Sequence, residues 1–113
     1  MGFIQSDVDN IYSDLVTYSL EVGQQILAGR SEKHRKQSGQ FFTPTAVARF
    51  MARQLGPIRS GDRILDPAIG SGVLACAVIE RLIAEGPPLE IWLDGYEVDP
   101  ELSQTAREVL ELY

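Results

Sequence analysis

The segment Ile64-Leu65-Asp66-Pro67-Ala68-Ile69-Gly70-Ser71-Gly72 decides the fold of this chain, and an apolar run over residues 73–84 follows it directly. The pattern predicts a buried strand that ends in a carboxylate, a tight glycine turn, and a helix that begins at the second glycine. Glycine suits such a turn because the backbone samples positive φ there and a ligand can lie against a chain without Cβ. The segment therefore predicts a ligand site.

The turn leaves several ligands open. As Gly70-x-Gly72-x-x-Ala75 it satisfies the loose dinucleotide fingerprint, so a nicotinamide or flavin cofactor is one alternative. Asp66 disfavours a pyrophosphate, because two like unit charges about 4 Å apart repel by roughly 4 kcal/mol at an effective dielectric constant of about 20. S-adenosylmethionine has no phosphate, and its ammonium would gain from Asp66 while its carboxylate met the N–H groups of the turn. A purely structural turn that Asp66 caps is the remaining alternative.

Composition limits the function classes. The chain has 113 residues and a net charge of −6, which indicates one domain at most and disfavours a general polyanion binder. Residues 30–63 nevertheless carry eight basic and two acidic side chains, whereas residues 64–113 carry two basic and ten acidic ones. One cysteine permits no internal disulfide, and no signal peptide or apolar stretch of membrane length is seen. We expect a cytoplasmic protein without membrane contact and, with His34 as the one histidine, without a metal site.

The N-terminal region predicts a helix and a basic loop. Apolar residues at helical spacing run from Val8 to Ile26, with Ser6 as the expected cap and Gly29 as the stop, so we expect a long amphipathic helix. Residues 29–39 have no apolar side chain other than glycine and are expected to form a loop. Its basic side chains either contact DNA phosphates or stay solvated. They are Arg30, Lys33, Arg35 and Lys36.

Gly39-Gln40-Phe41-Phe42-Thr43-Pro44 predicts the start of the next helix, with Thr43 as the cap and Pro44 at the first helical position. The two phenylalanines either pack against the first turn of this helix as a hydrophobic staple or line a binding site for adenine. Arg49 and Arg53 share a face, where they are solvated or face an anion. The expected apolar stripe consists of Val47, Phe50, Met51 and Leu55.

A second strand is predicted over residues 90–97, and a last helix is predicted after the Asp99-Pro100 cap. Glu97 stands where this strand should end. In nucleoside-binding α/β folds an acid at this place accepts hydrogen bonds from both ribose hydroxyls, and Val98 could then lie along the adenine ring. An ordinary carboxylate at a strand end is the alternative.

Three segments, residues 39–44, 66–72 and 95–100, resemble in order the first landmarks of the adenine-N6 DNA methyltransferases. The likeness is to methylation subunits of type I restriction-modification systems and to fused type II restriction-methylation enzymes. It implies an α/β chain that forms the N-terminal part of a Rossmann-like S-adenosylmethionine-dependent methyltransferase. Residues 1–38 would be the helix and basic loop, and residues 39–113 would carry the cofactor-binding half. DNA would be the substrate, and a restriction or specificity subunit a possible partner.

The resemblance also implies a role for each matching position. Thr43, within the segment Phe42-Thr43-Pro44, would lie near the carboxylate at the methionine end of the cofactor. Glu97 would hold the ribose and Val98 would contact adenine. Ile69, where relatives often have a smaller residue, would narrow the pocket slightly. The methionine pocket would be formed by Asp66, Ala68, Gly70 and Gly72.

One landmark of this family does not occur in the chain. The family grips the flipped adenine with an Asn/Asp-Pro-Pro-aromatic loop, but the one asparagine here is Asn10 and Pro87-Pro88 precedes leucine. We therefore expect a methyltransferase fragment with weak cofactor binding, no catalytic residue and no turnover alone. Two strands would leave bare edges, which predicts self-association. A fragment acting on protein or small molecules, and a non-catalytic module that docks a partner through residues 1–38, are the alternatives.

Overall fold

The computed structural model describes residues 14–30, 42–86 and 90–112 of the chain. Helices and strands are mixed along this part, as expected for an α/β chain, while the Rossmann-like assignment stays a prediction. None of the described helices is long and apolar enough to cross a membrane. The elements in chain order are α1 (Leu15–Ala28), α2 (Thr45–Gln54), β1 (Arg63–Asp66), α3 (Val73–Glu85), β2 (Trp92–Gly95) and α4 (Pro100–Leu110).

The two strands form a parallel sheet that the helices cover on one face. Ile64 lies opposite Leu93 in the register, and both side chains pack against buried clusters contributed by the helices. The other face carries Leu65 and Trp92, whose side chains are 59% and 64% exposed. Because α3 connects parallel strands, the carboxyl ends of β1 and β2 lie at the same edge of the sheet.

A strand, a turn and a helix form around the two glycines as predicted, but β1 is not the buried strand that was expected, since Arg63 and Leu65 are exposed and Ile64 and Asp66 are half-buried. β1 ends at Asp66, and α3 begins directly after Gly72. Gly70 has φ 57° and Gly72 has φ 98°, conformations that side chains with Cβ rarely adopt. Asp99 caps α4 by accepting hydrogen bonds from two backbone N–H groups, also as predicted. β2 is shorter than the predicted 90–97.

α1 begins at Leu15, and the residue before it interrupts the helix that the apolar pattern predicts. Asp14 has φ −135° and ψ 50°, which is not helical, and its carboxylate caps α1 by accepting from the N–H of Thr17 at 3.3 Å. The prediction of one continuous helix from Val8 is therefore wrong. The expected cap Ser6 lies outside the described residues.

α1 also buries a different face from the predicted one. Tyr18, one of the apolar residues at helical spacing between Val8 and Ile26, is 40% exposed. The helix packs on α3 and α4 through a face that includes two of its smallest residues, so its backbone approaches its neighbours closely. The buried positions are Leu15, Val16, Ser19, Gly23 and Leu27.

α2 differs from its prediction in its cap and in its buried face. Pro44 is the N-cap residue and no side chain caps the helix, so Thr43 does not have the expected role. The helix packs on α3 through Ala48 and Ala52, which are 0% and 1% exposed. Two alanines allow closer approach than the expected stripe would, and that stripe lies 42–56% exposed. The stripe consists of Val47, Phe50, Met51 and Leu55.

The C-terminal end of α2 is held by Arg81 of α3, a contact that the sequence did not predict. Its guanidinium donates hydrogen bonds to the carbonyls of Ala52, Leu55 and Gly56 at 2.8, 2.7 and 3.0 Å. These carbonyls lie at the end of the helix, where intrahelical donors run out. Arg81 therefore supplies a cap from a neighbouring element.

Candidate functional site

The candidate site lies where the carboxyl ends of β1 and β2 meet. The N–H of Tyr96, just after β2, donates to the carbonyl of Asp66 at 3.0 Å. The carbonyl of Tyr96 in turn accepts from the N–H of Ile69 at 3.0 Å. These two bonds attach the backbone of the glycine turn to the segment that carries Glu97.

Glu97 links the same two segments through its side chain. Oε1 accepts a hydrogen bond from the N–H of Gly70 at 3.0 Å, and Oε2 accepts from the N–H of Asp99 at 2.9 Å. Each carboxylate oxygen has a second lone pair, so both can still accept from a vicinal diol. Val98, next in the chain, is 96% exposed and lies open to a ligand ring.

Asp66 has the local capping role, which was one of the two alternatives that the sequence left open. Its Oδ1 accepts a hydrogen bond from the N–H of Ala68 at 3.2 Å, so it does hold the turn locally. Its Oδ2 has no hydrogen-bond partner among the described residues. The side chain is half-buried at the end of β1 while Ala68 is exposed. One oxygen of Asp66 is therefore available for a cationic group.

The N–H groups of the two glycines are already engaged within the chain. Gly70 donates to Glu97, and Gly72 donates to the carbonyl of Ile69 at 2.9 Å. The glycine pattern predicted that these N–H groups are open to a ligand carboxylate. The structure instead uses them to fix the turn and to orient Glu97.

The segment Phe42-Thr43-Pro44 lies beside this turn, with Thr43 half-buried and Pro44 exposed. The Phe42 ring packs against Gly70, where an added Cβ would lie 3.4 Å from its Cε1. It also packs against Gly23 of α1, where an added Cβ would lie 2.7 Å from its Cζ. The ring therefore ties α1 to the turn. Phe41 lies outside the described residues.

α1 supports the turn through a buried hydrogen bond that the sequence pattern did not predict. The hydroxyl of Ser71 donates to the main-chain carbonyl of Ser19 at 2.7 Å, and both residues are 0% exposed. An added Cβ on Gly23 would lie 2.5 Å from the Ser71 Oγ. The sequence did contain a sign of this contact. Ser19 and Gly23 lie one helical turn apart, so they share a face of the helix, and their small side chains let that face approach a neighbour closely.

Ile69 packs into the core beside the turn, and its expected narrowing of the cofactor pocket stays a prediction. Its side chain is 9% exposed and packs with Ala75 and Ala106. It also lies across Gly95, where an added Cβ would come within 2.5 Å of its Cδ1. The side chain fills the core between β2 and α4.

Arg30, the first of the four candidate DNA contacts, is held in an ion pair at the start of α4. Its guanidinium donates to both oxygens of Asp99, at 2.5 and 3.0 Å, and to Glu101 at 3.0 Å. The hydrogen bond to Asp99 raises the pKa of Arg30 against the opposing effect of burial. Its side chain is 17% exposed, so a phosphate would have to displace two carboxylates. The other three candidates, Lys33, Arg35 and Lys36, lie outside the described residues, and their role stays a prediction.

Arg49 is likewise paired within the chain rather than solvated or facing a ligand anion. Its Nε lies 2.9 Å from Glu80 and its Nη2 lies 2.8 Å from Asp14. The hydrogen bond to Glu80 is the main cause that raises the pKa of Arg49.

Within the described ranges, no three His, Cys, Asp or Glu side chains are grouped closely enough to hold a metal ion.

Comparison with known proteins places this site within one family. Residues 21–108, which include the glycine turn and Glu97, match the family model described as "N-6 DNA Methylase". The chain is similar to "Type II methyltransferase M.AccI" of Acinetobacter calcoaceticus, with 32% identity over 81 residues, 72% of this chain and 14% of that protein. It is 43% identical over 58 residues to "Type I restriction enzyme EcoEI methylase subunit" of Escherichia coli, 50% of this chain and 11% of that protein.

A third relative, "Type II methyltransferase M.BsuBI" of Bacillus subtilis, is 33% identical over 82 residues, 72% of this chain and 16% of that protein. The matched regions thus cover about a sixth or less of the length of these relatives. No solved structure matches the chain.

Proposed function

Because the chain belongs to the N-6 DNA methylase family, we propose that it is the S-adenosylmethionine-binding portion of a DNA adenine-N6 methyltransferase of a restriction-modification system. The observation that carries this proposal is the hydrogen bond between Glu97 and Gly70. It puts the acid expected to bind the sugar directly on the backbone of the turn expected to bind the methionine end.

The charges around the turn support a cationic ligand without phosphate. Asp66 has one oxygen without a partner in the described part of the chain, and it would bind the ammonium of the cofactor directly or through a water. Glu97 would accept hydrogen bonds from the ribose hydroxyls, and Val98 would cover one face of adenine. Two carboxylates at one turn would repel a pyrophosphate, which disfavours the nicotinamide alternative.

The remaining positions would shape the methionine end of the site. Ala68, Gly70 and Gly72 would line it with backbone, because none of them presents a side chain larger than a methyl group. Thr43 and Pro44 would line the methionine end of the site on the side where Phe42 packs on Gly70. When bound, the cofactor supplies a methyl group on a sulfonium, which the amine of adenine attacks, and alignment of the two supplies much of the acceleration.

For the chain alone we propose cofactor binding without methyl transfer. The 113 residues contain no Asn/Asp-Pro-Pro-aromatic segment that could grip an adenine amine. DNA, a restriction or specificity subunit and a cytoplasmic location are proposed on the family assignment. A measurable transfer of labelled methyl groups to DNA by this chain would contradict the proposed inactivity.

Calorimetry with S-adenosylmethionine and with NAD tests the proposed ligand. We expect the wild-type chain to bind S-adenosylmethionine and not NAD. Asp66→Asn keeps an oxygen for the Ala68 N–H but removes the charge, so it should weaken binding roughly tenfold. Glu108→Gln, at an exposed position on α4, is the matched control and should bind as the wild type does. Preferential binding of NAD, or no binding of S-adenosylmethionine at millimolar concentration, would refute the proposal.

A non-catalytic interaction module is the second candidate function. The apolar stripe on α2, which leaves Phe50 56% exposed, favours a protein partner on that helix. This candidate predicts that Asp66→Asn leaves partner binding intact and that cofactor binding is absent. The same calorimetry therefore separates the two functions.

A further inference from the structure

We propose that Arg30 is a positioning residue for Glu97, the acid expected to hold the ribose of the cofactor. The inference rests on the proposed function and adds a residue to the same site. It gives Arg30 a role that differs from the predicted contact with DNA phosphate.

The proposal begins with the ion pair at the start of α4. Arg30 follows α1 and lies 69 residues before Asp99, so the pair joins distant parts of the chain. The guanidinium grips both oxygens of Asp99, and the two side chains are only 17% and 11% exposed. A two-point contact of this kind fixes orientation as well as distance, because the planar fork matches the carboxylate.

Asp99 transmits this orientation to Glu97. Its carboxylate also caps α4 by accepting from the N–H groups of Glu101 and Leu102, at 3.1 and 3.0 Å. Its own N–H donates to the Oε2 of Glu97 at 2.9 Å. A residue held at both its side chain and its backbone has little freedom to move, so the Glu97 carboxylate has a fixed anchor.

Glu97 then reaches the glycine turn with its second oxygen, which accepts from Gly70 at 3.0 Å. A continuous series of contacts therefore runs from Arg30 through Asp99 and Glu97 to Gly70. Arg30 also offsets negative charge, since Glu97, Asp99 and Glu101 lie within five positions of one another.

The first test needs no cofactor. The backbone amide of Gly70 reports the bond to Glu97 by its chemical shift and by its exchange with solvent. Arg30→Ala should shift this amide resonance and accelerate its exchange in the full chain. Arg49→Ala is the matched control, because Arg49 is also paired with two carboxylates but lies away from the turn. It should leave the Gly70 amide unchanged.

The second test uses two ligands that differ only in one hydroxyl, S-adenosylmethionine and its 2′-deoxyribose analogue. The wild type should prefer the ribose form, and Arg30→Ala should reduce this preference by roughly tenfold through loss of an oriented charged acceptor. Arg30→Lys keeps the positive charge but loses the planar two-point contact, so its preference for ribose should lie between those of the wild type and Arg30→Ala. The same variant provides the test if Arg30→Ala does not fold. Both Arg30→Ala and Arg49→Ala should lower the melting temperature, because each removes an ion pair. The melting temperature therefore does not distinguish a positioning role from a structural one.

Each outcome decides the proposal. It is overturned if the Gly70 amide is the same in Arg30→Ala and wild type, or if Arg49→Ala alters the Gly70 amide or the ribose preference as much as Arg30→Ala does. If the wild type binds no S-adenosylmethionine, the proposed function fails. The amide measurement then still shows whether Arg30 orients Glu97.

Discussion

The hydroxyl of Ser71 in the glycine turn donates to the main-chain carbonyl of Ser19 in α1 at 2.7 Å, with neither residue exposed. α1 is thus a direct support of the turn. The division of the chain after residue 38 stays a prediction. Because α1 packs directly on the turn, we expect substitutions at this contact to lower the stability of the fold.

The tight contact at Gly23 gives the first prediction. Gly23→Ala should lower the free energy of unfolding by about 1–3 kcal/mol, because the new Cβ would meet Ser71 at 2.5 Å and the Phe42 ring at 2.7 Å. Gly29→Ala is the control, since the nearest atom to its added Cβ lies 3.6 Å away. Urea denaturation measures both. Equal stability of the two variants would show that the packing around Gly23 is looser than the structure indicates.

The cap that Arg81 provides gives the second prediction. Arg81→Met should destabilise the chain by about 2 kcal/mol, because three carbonyls at the end of α2 lose a charged donor while the apolar stem is kept. Arg53→Met, at an exposed position on the same helix, should change stability by less than about 0.5 kcal/mol. Thermal unfolding followed by circular dichroism compares them. A similar loss in both variants would contradict the assigned cap.

The ion pair of Asp14 with Arg49 gives a pH-dependent prediction. Burial raises the pKa of Asp14, but hydrogen bonds from Thr17 and Arg49 outweigh it and hold the pKa below its ordinary value of 3.8. A carboxyl group with a lowered folded-state pKa stabilises the fold above its unfolded-state pKa, and this contribution is lost as the pH falls through the folded-state value.

Asp14→Asn keeps an oxygen to cap α1 and removes only the charge. We expect it to cost about 0.5 kcal/mol at neutral pH, since the pair is partly solvated, and to match the wild type at a pH well below 3.8. Urea denaturation at both pH values measures the difference. In an Arg49→Met background the neutral-pH difference should shrink. If the stability difference between Asp14→Asn and the wild type is as large at the low pH as at neutral pH, the charge of Asp14 is not its cause.

The uncovered face of the sheet gives the last prediction. Leu65 and Trp92 are 59% and 64% exposed there, and both sheet edges lack a partner strand within the described ranges. We expect the chain to self-associate at high micromolar concentration, and Leu65→Lys should weaken this association. Leu112→Lys, outside the sheet, is the control. Sedimentation equilibrium showing a stable wild-type monomer at that concentration would refute the prediction.

Local chemistry determined the core of the site. Asp66, the two glycines of positive φ and the apolar run behind them form a strand end, a turn and a helix, because their local backbone preferences agree with one another. The same holds for Asp99-Pro100, which begins α4 as predicted. The sequence by itself therefore established β1, the turn and α3. It put Glu97 at the end of the second strand, whereas β2 ends two residues earlier, at Gly95.

Tertiary structure decided which faces and which charges meet. The sequence pattern gives weight to large apolar residues, whereas α1 and α2 pack through Gly23 and Ala48, whose small size allows close approach. The partners of Arg30 lie about seventy residues away, so its position in an ion pair, rather than on a free basic loop, depends on how α1 and α4 come together. Contacts of this kind follow from the folded geometry, because no local preference of the chain specifies them.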